Sequence, residues 1–167
     1  MTPPSVIYVP LITDDQVKQL ATLNKNVTVS TAMGSQIRIC QETRLKPFLG
    51  KRFYSQLMTQ ASTASLTPDN LTLLEGYIRP YLANWLLYEV LPQIWAPTRE
   101  QGNVNLTGDY AQNVPQNSMI LIREQYEQAA MAYQEQMREF LCEYSSCYPL
   151  YCAGGQQTSA TPSIFIV

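Results

Sequence analysis

The apolar residues of the chain recur at helical spacing in several segments, which prolines, glycines and small polar residues separate. Apolar side chains three and four residues apart lie on one face of an α-helix, so this pattern predicts amphipathic helices. The first predicted helix begins with a capping box formed by Thr13 and Gln16. The second runs from about residue 30 to 45, where Pro47 is expected to interrupt it, and the third covers residues 51–61.

The longest apolar pattern covers residues 71–91 and predicts a buried helix. Thr67 followed by Pro68 supplies a hydroxyl N-cap and a proline in the first turn, which together are a strong start signal. Pro80 lies inside the pattern, so we expect a kink or a break there. Pro92 is expected to end this helix.

A last long helix is predicted from about residue 118 to 144, with an apolar stripe on one face and carboxylates on the other. The Gly-, Asn- and Gln-rich residues 98–116 before it are typical of a loop. The sequence therefore predicts a mainly α-helical fold, a small bundle of four to five helices. It also predicts extended N- and C-terminal arms that are able to add short β-strands.

The 11 Lys and Arg and the 13 Asp and Glu residues all fall between Asp14 and Glu143. This distribution divides the chain into an N-terminal arm (1–12), a helical domain (13–144) and an uncharged C-terminal arm (145–167). A folded domain that makes no contacts with other chains would not normally need uncharged segments at both ends.

The ends of both arms are apolar and favour β-structure. An exposed terminus of this kind is an aggregation hazard unless it is paired or buried. We expect the arms to add as strands to neighbouring subunits, and the alternative is that they pack on their own domain. The residues expected to make these contacts are Val6, Ile7, Tyr8 and Val9, together with Ile164, Phe165, Ile166 and Val167.

The chemistry of an enzyme is poorly represented in this composition. The absence of histidine removes the commonest general base and the commonest zinc ligand, and it rules out a Ser-His-Asp or Cys-His nucleophile within this chain. No P-loop, GxGxxG or HExxH motif is present. The four cysteines lack the spacing of a zinc site and are expected to be free thiols: Cys40, Cys142, Cys147 and Cys152. We therefore expect no enzymatic activity, no metal and no cofactor.

The chain start lacks the cationic region of a signal peptide, and no run of 18 uncharged apolar residues occurs. A protein made in a cytoplasm and not inserted into a membrane is the simplest interpretation.

A cluster of five cations lies within a short segment that has Glu42 as its only carboxylate. Its members are Arg38, Arg44, Lys46, Lys51 and Arg52. The simplest interpretation is that the cluster is a solvent-exposed face with no partner. In a more specific interpretation, the cluster contacts the acidic face of the last helix on a neighbouring copy, at Glu124, Glu127, Glu135 and Glu139. In another it faces DNA phosphates, although a net charge of −2 argues against bulk electrostatic binding of nucleic acid.

The segment 39–50 (ICQETRLKPFLG), followed by 51–57 (KRFYSQL), resembles the head–tail connector (adaptor) proteins of tailed bacteriophages. Residues 77–92 and the polar loop before the last long helix fit the same pattern. The resemblance covers roughly residues 13–144 and is to the variants found in phages of Bacteroidetes-type hosts.

This resemblance implies a small helical bundle that assembles as a ring of twelve copies beneath the portal protein. Such a ring extends the DNA channel and offers a platform to the tail or to a second neck protein. The expected function is that of a virion structural protein at the head–tail junction, in transient contact with packaged duplex DNA. A DNA-binding adaptor that uses residues 38–52 directly is the alternative.

Overall fold

The computed structural model describes residues 8–20, 30–95 and 116–153. Within these ranges the backbone forms six helices and no strand, so the fold is the mainly α-helical bundle that the sequence predicts, with slightly more helices than expected. The helices are α1 (Asp14–Leu20), α2 (residues 30–49), α3 (Lys51–Ser62), α4 (residues 68–95), α5 (Gln116–Glu143) and α6 (Pro149–Ala153).

Two of these helices contain a π-helical turn. Helix α2 consists of Ser30–Cys40, the π turn Gln41–Leu45 and Lys46–Leu49, and α4 consists of Pro68–Leu73, the π turn Leu74–Ile78 and Arg79–Trp95. A π turn holds one more residue than an α turn and often stands at a functional or strained position.

The predicted helix starts are confirmed by their caps. The backbone N–H of Gln16 donates to the Thr13 hydroxyl at 3.3 Å, and the N–H of Thr13 donates to the Gln16 side-chain oxygen at 3.0 Å, which completes the capping box. At the start of α4, the Thr67 hydroxyl accepts from the N–H of Asn70 at 3.3 Å, and Pro68 is the first helical residue.

The predictions at the prolines need correction. The prediction that Pro47 interrupts the second helix is wrong, because α2 continues to Leu49. At Pro80 a kink or a break was expected, and the break is wrong because the helix continues through Pro80. In both helices the residue before the proline closes a π turn by donating its N–H to the carbonyl five residues back. This wider turn relieves the clash between the proline ring and the preceding turn, so the helix continues.

The prediction that Pro92 ends its helix is also wrong, since α4 continues to Trp95. A proline has no N–H, so the carbonyl of Tyr88, four residues earlier, loses its helical donor. Arg123 of α5 replaces that donor, with its Nε at 3.0 Å from the Tyr88 oxygen. A side chain from a distant part of the chain therefore donates to the carbonyl that the proline leaves without a hydrogen bond.

Helix α4 is the centre of the bundle. It contacts α1, α2 and α5, and its contact with α5 is the most extensive of any helix pair in the described residues. The core also includes Leu11 and Ile12 before α1, and Tyr148 and Tyr151 after α5, so it reaches beyond residues 13–144 at both ends. Burial of each large apolar side chain stabilises the fold by about 1.5–3 kcal/mol, which makes these flanking residues part of the domain's stability.

The junction between α2 and α3 is a single residue, Gly50, with a φ of 81°. Its N–H donates to the Lys46 carbonyl at 3.0 Å and its carbonyl accepts from the N–H of Tyr54 at 3.0 Å. Only glycine adopts this conformation without strain, so Gly50 is the residue that allows α3 to follow α2 directly.

Candidate interaction surfaces

Arg44 is held within its own chain. Its guanidinium donates to the Glu89 carboxylate on α4 at 3.3 Å and lies 4.0 Å from the centre of the Trp85 ring. A cation over an aromatic face gains about 0.5–2 kcal/mol, so this contact fixes α2 against α4. Arg44 is therefore a bundle contact as well as a member of the predicted basic cluster.

Lys46 is also paired internally. Its ammonium forms a salt bridge with Glu42, one turn earlier on α2, and lies 5.6 Å from the centre of the Tyr54 ring. The hydrogen bond from Lys46 lowers the pKa of the Glu42 carboxyl, and a hydrogen bond from the Tyr54 hydroxyl acts in the same direction. Glu42 is the only carboxylate within the cluster, and it is paired with Lys46 and Tyr54.

The other three cations of the cluster are exposed and form no salt bridge with any described residue: Arg38, Lys51 and Arg52. The guanidinium of Arg38 lies 5.1 Å from the centre of the Tyr8 ring, which gives it a position without neutralising its charge. The structure thus divides the predicted cluster into two cations that hold the fold and three that remain available.

The acidic face of α5 divides in a similar way. Glu135 forms a salt bridge with Arg138, three residues later on the same helix. Glu124 and Glu139 are exposed and Glu127 is half-buried, and within the described residues none of these three forms a salt bridge. The outward side of α5 therefore carries carboxylates with no internal cation.

The same side of α5 also carries apolar side chains. Ile120 is 47% exposed, Leu121 is 59% exposed and Met131 is 53% exposed. The opposite side of the helix packs into the core, where Tyr77 and Phe140 stack with ring centres 4.6 Å apart. Helix α5 thus carries apolar side chains on both sides, and only those on the core side are covered by the described residues.

Gln41 is a residue of this region that the sequence reasoning missed. Its side chain is 0% exposed, and its oxygen accepts from the N–H of Leu11 at 2.9 Å and from the hydroxyl of Tyr8 at 3.4 Å. Its amide nitrogen donates to the carbonyl of Val9 at 3.3 Å. One side-chain amide therefore pairs with the backbone of the N-terminal segment much as a neighbouring β-strand would.

The described part of the N-terminal arm lies on its own domain. Tyr8 and Val9 are half-buried against the core, and Leu11 and Ile12 are fully buried. The carbonyl of Leu11 also accepts a hydrogen bond from Arg79 of α4 at 3.3 Å. The other predicted arm contacts lie outside the described residues: Val6, Ile7, Ile164, Phe165, Ile166 and Val167.

A cavity of about 200 Å³ lies between α3, the start of α4 and α6. Phe53, Tyr148 and Leu150 form its apolar wall, and Asp69 and Cys147 are on its lining. The hydroxyl of Tyr148 donates to the backbone carbonyl of Asp69 at 2.7 Å, so this tyrosine links the residue just before α6 to α4.

Cysteine and metal chemistry is sparse in the part of the chain that is described. Burial raises the pKa of the Cys40 thiol to about 12, and Cys142 and Cys147 are exposed free thiols. The described residues contain no group of three or more cysteine and carboxylate side chains that could hold a metal ion. None of the described helices has the combined length and apolar character needed to cross a membrane.

Residues 45–161 match the model of a family of unknown function, DUF6712. The matched segment covers the end of α2 and all of α3 to α6, so it includes the acidic face of α5, and it begins after Arg38 and Gln41. No curated protein and no solved structure matches the chain.

Proposed function

The chain belongs to the family of unknown function DUF6712, and we propose that it is a virion structural protein that acts by assembly. In this proposal it is a head–tail connector of a tailed bacteriophage and forms a ring between the portal protein and the tail. The ring lines or extends the DNA channel at the neck of the particle.

The observation that carries the proposal is that cations and carboxylates without a salt bridge to a described residue lie on different helices. The cations are on α2 and at the start of α3 (Arg38, Lys51 and Arg52), and the carboxylates are on α5 (Glu124, Glu127 and Glu139). Surfaces of opposite charge on one molecule attract each other between copies, which fixes register and suppresses wrong contacts.

Contact between two different surfaces of identical chains is heterologous, and it closes into a ring when the rotation between neighbours divides a full turn. A stable interface of this kind buries on the order of 1,000 Å² or more. The long outward faces of α2 and α5 offer helical surfaces for such a contact. Portal and tail proteins would then bind the two rims of the ring.

The C-terminal arm is the second element of the proposal. Its end, residues 164–167, is apolar and uncharged, and strand addition to a neighbouring subunit would pair its backbone and cover its side chains. Deletion of residues 156–167 is expected to weaken assembly while the helical content measured by circular dichroism stays unchanged. Unchanged assembly after this deletion would contradict the proposed role of the C-terminal arm.

Assembly is tested most simply by size-exclusion chromatography with light scattering on the purified chain, alone and with the portal protein from the same genome. We expect particles of many copies of the 18.9 kDa chain, and ring-shaped particles in electron micrographs. A chain that stays monomeric in both samples contradicts the proposal.

The second candidate function is direct DNA binding, which the three exposed cations Arg38, Lys51 and Arg52 favour. Each phosphate contact would add about one unit to the slope of log affinity against log salt. Replacement of Lys51 and Arg52 would then lower that slope for duplex DNA by about two units. If the chain assembles but does not bind duplex DNA at low salt, the connector role is the only one of the two candidates that stands.

A further inference from the structure

The outward side of α5 carries a continuous stripe of exposed side chains, of which Leu121 and Met131 are apolar. Successive residues of this stripe are three and four positions apart, so they are neighbours on one face of the helix. They are Leu121, Glu124, Gln128, Met131 and Glu135. All five are exposed, and a second stripe of the same helix already packs into the core.

At the start of this stripe, apolar surface and an unpaired carboxylate are adjacent. Ile120 and Leu121 are both exposed, and Glu124 lies one turn further along. Residues three and four apart are neighbours on a helix surface, so a partner helix that covers Leu121 also comes within reach of the Glu124 carboxylate.

Helix α2 presents the complementary pair. Ile39 is 48% exposed, and Arg38, the residue before it, is exposed and forms no salt bridge with a described residue. Tyr8 lies against the Arg38 guanidinium at 5.1 Å. Ile39 and Arg38 are complementary to Leu121 and Glu124 in hydrophobicity and in charge.

We propose that Ile120, Leu121 and Glu124 on α5 of one copy dock on Arg38 and Ile39 of α2 on a second copy. Ile39 packs against the two apolar side chains, and Arg38 pairs with Glu124. The contact joins two different faces, so the first copy keeps its α2 face free, the second keeps its α5 face free, and each copy can bind two neighbours. The inference rests on the proposed function and names the surfaces through which the chain assembles.

The test is cross-linking between two variants that each add one cysteine to a background in which Cys142, Cys147 and Cys152 are replaced by serine and the buried Cys40 is kept. Ile39→Cys and Leu121→Cys are made separately, and each is treated with a short bismaleimide, alone and in an equimolar mixture. Both positions are exposed, and circular dichroism checks that the variants fold. The matched control replaces Leu121→Cys by Gln136→Cys, an exposed position about 22 Å further along α5.

We expect a cross-linked dimer in the mixture of Ile39→Cys and Leu121→Cys and in none of the other samples. A dimer in Leu121→Cys alone would mean that α5 pairs with itself, and it would overturn the inference. The absence of any dimer from a background that light scattering finds assembled would overturn the inference and leave the proposed function standing. A background protein that is monomeric alone and with the portal protein would overturn both.

Discussion

Gln41 and the outward stripe of α5 carry polar groups in opposite situations. The Gln41 amide is fully buried, and its bonds to Leu11, Val9 and Tyr8 satisfy it within the chain. On the α5 stripe, Glu124 is exposed beside the equally exposed Leu121, and within the described residues it forms no salt bridge.

The difference separates residues that hold the fold from residues that are available to a partner. A buried polar group must be paired, because an unpaired one costs about 1–3 kcal/mol. An exposed charge has no such requirement, and it contributes little to the stability of an isolated domain. Stability measurements should therefore detect the first region, and assembly measurements should detect the second.

The largest expected effect is that of Gln41→Leu. The substitution leaves the N–H of Leu11 without its acceptor inside the core, so we expect a loss of about 2–3 kcal/mol in the free energy of unfolding. Urea denaturation at low protein concentration measures it. The matched control, Gln136→Leu on exposed α5 surface, should change the free energy by less than about 0.5 kcal/mol. Equal losses in the two variants would contradict the role assigned to Gln41.

A smaller effect is expected for Arg123→Ala. This change removes the donor that replaces the N–H missing at Pro92, together with a guanidinium 4.0 Å from the Tyr88 ring, and should cost about 1–2 kcal/mol. Arg138→Ala, which breaks an exposed pair with Glu135, should leave the midpoint of urea denaturation unchanged within error.

A double-mutant cycle isolates the cause. Pro92→Ala restores a backbone N–H that can donate to the Tyr88 carbonyl, so Arg123→Ala should cost less in that background than in the parent. An identical cost in both backgrounds would mean that Arg123 acts through its packing on the ring alone.

The smallest effect concerns pH. Pairing with Lys46 lowers the pKa of Glu42 in the folded state, so its contribution is present above the unfolded pKa and is lost as the pH falls through the folded value. Glu42→Gln should therefore reduce the free energy of unfolding by less than about 1 kcal/mol at pH 7, since the pair is partly exposed. Once the pH is below the lowered pKa of Glu42, the two proteins should be equally stable, and a difference that stays constant as the pH falls from 7 would contradict the assignment.

Local signals predict the helices well, because caps such as Thr13 with Gln16 act within one turn. The prolines were misjudged because one is compensated by a distant residue and two by a local change of helical turn that the sequence pattern does not reveal. Arg123 reaches Tyr88 from a helix 35 residues later, and the π turns before Pro47 and Pro80 leave no signature in hydrophobic spacing.

The pairing of the charged residues also depends on partners that are distant in sequence. The sequence identifies the five cations of the cluster, but not that Arg44 pairs with Glu89, which lies 45 residues away. Gln41 was missed because its partners in the N-terminal segment are 30 or more residues distant and nothing beside it marks it as buried.

The central claim is that the two unpaired faces bind each other between copies, and a charge-reversal mixture tests it most directly. Arg38→Glu and Glu124→Arg each place like charges across the proposed contact and should weaken assembly in sedimentation velocity by about tenfold or more. In an equimolar mixture each variant meets a complementary face on the other, so assembly should return as alternating copies. Variants that assemble as the parent does, or a mixture that stays as dispersed as its components, would contradict the account.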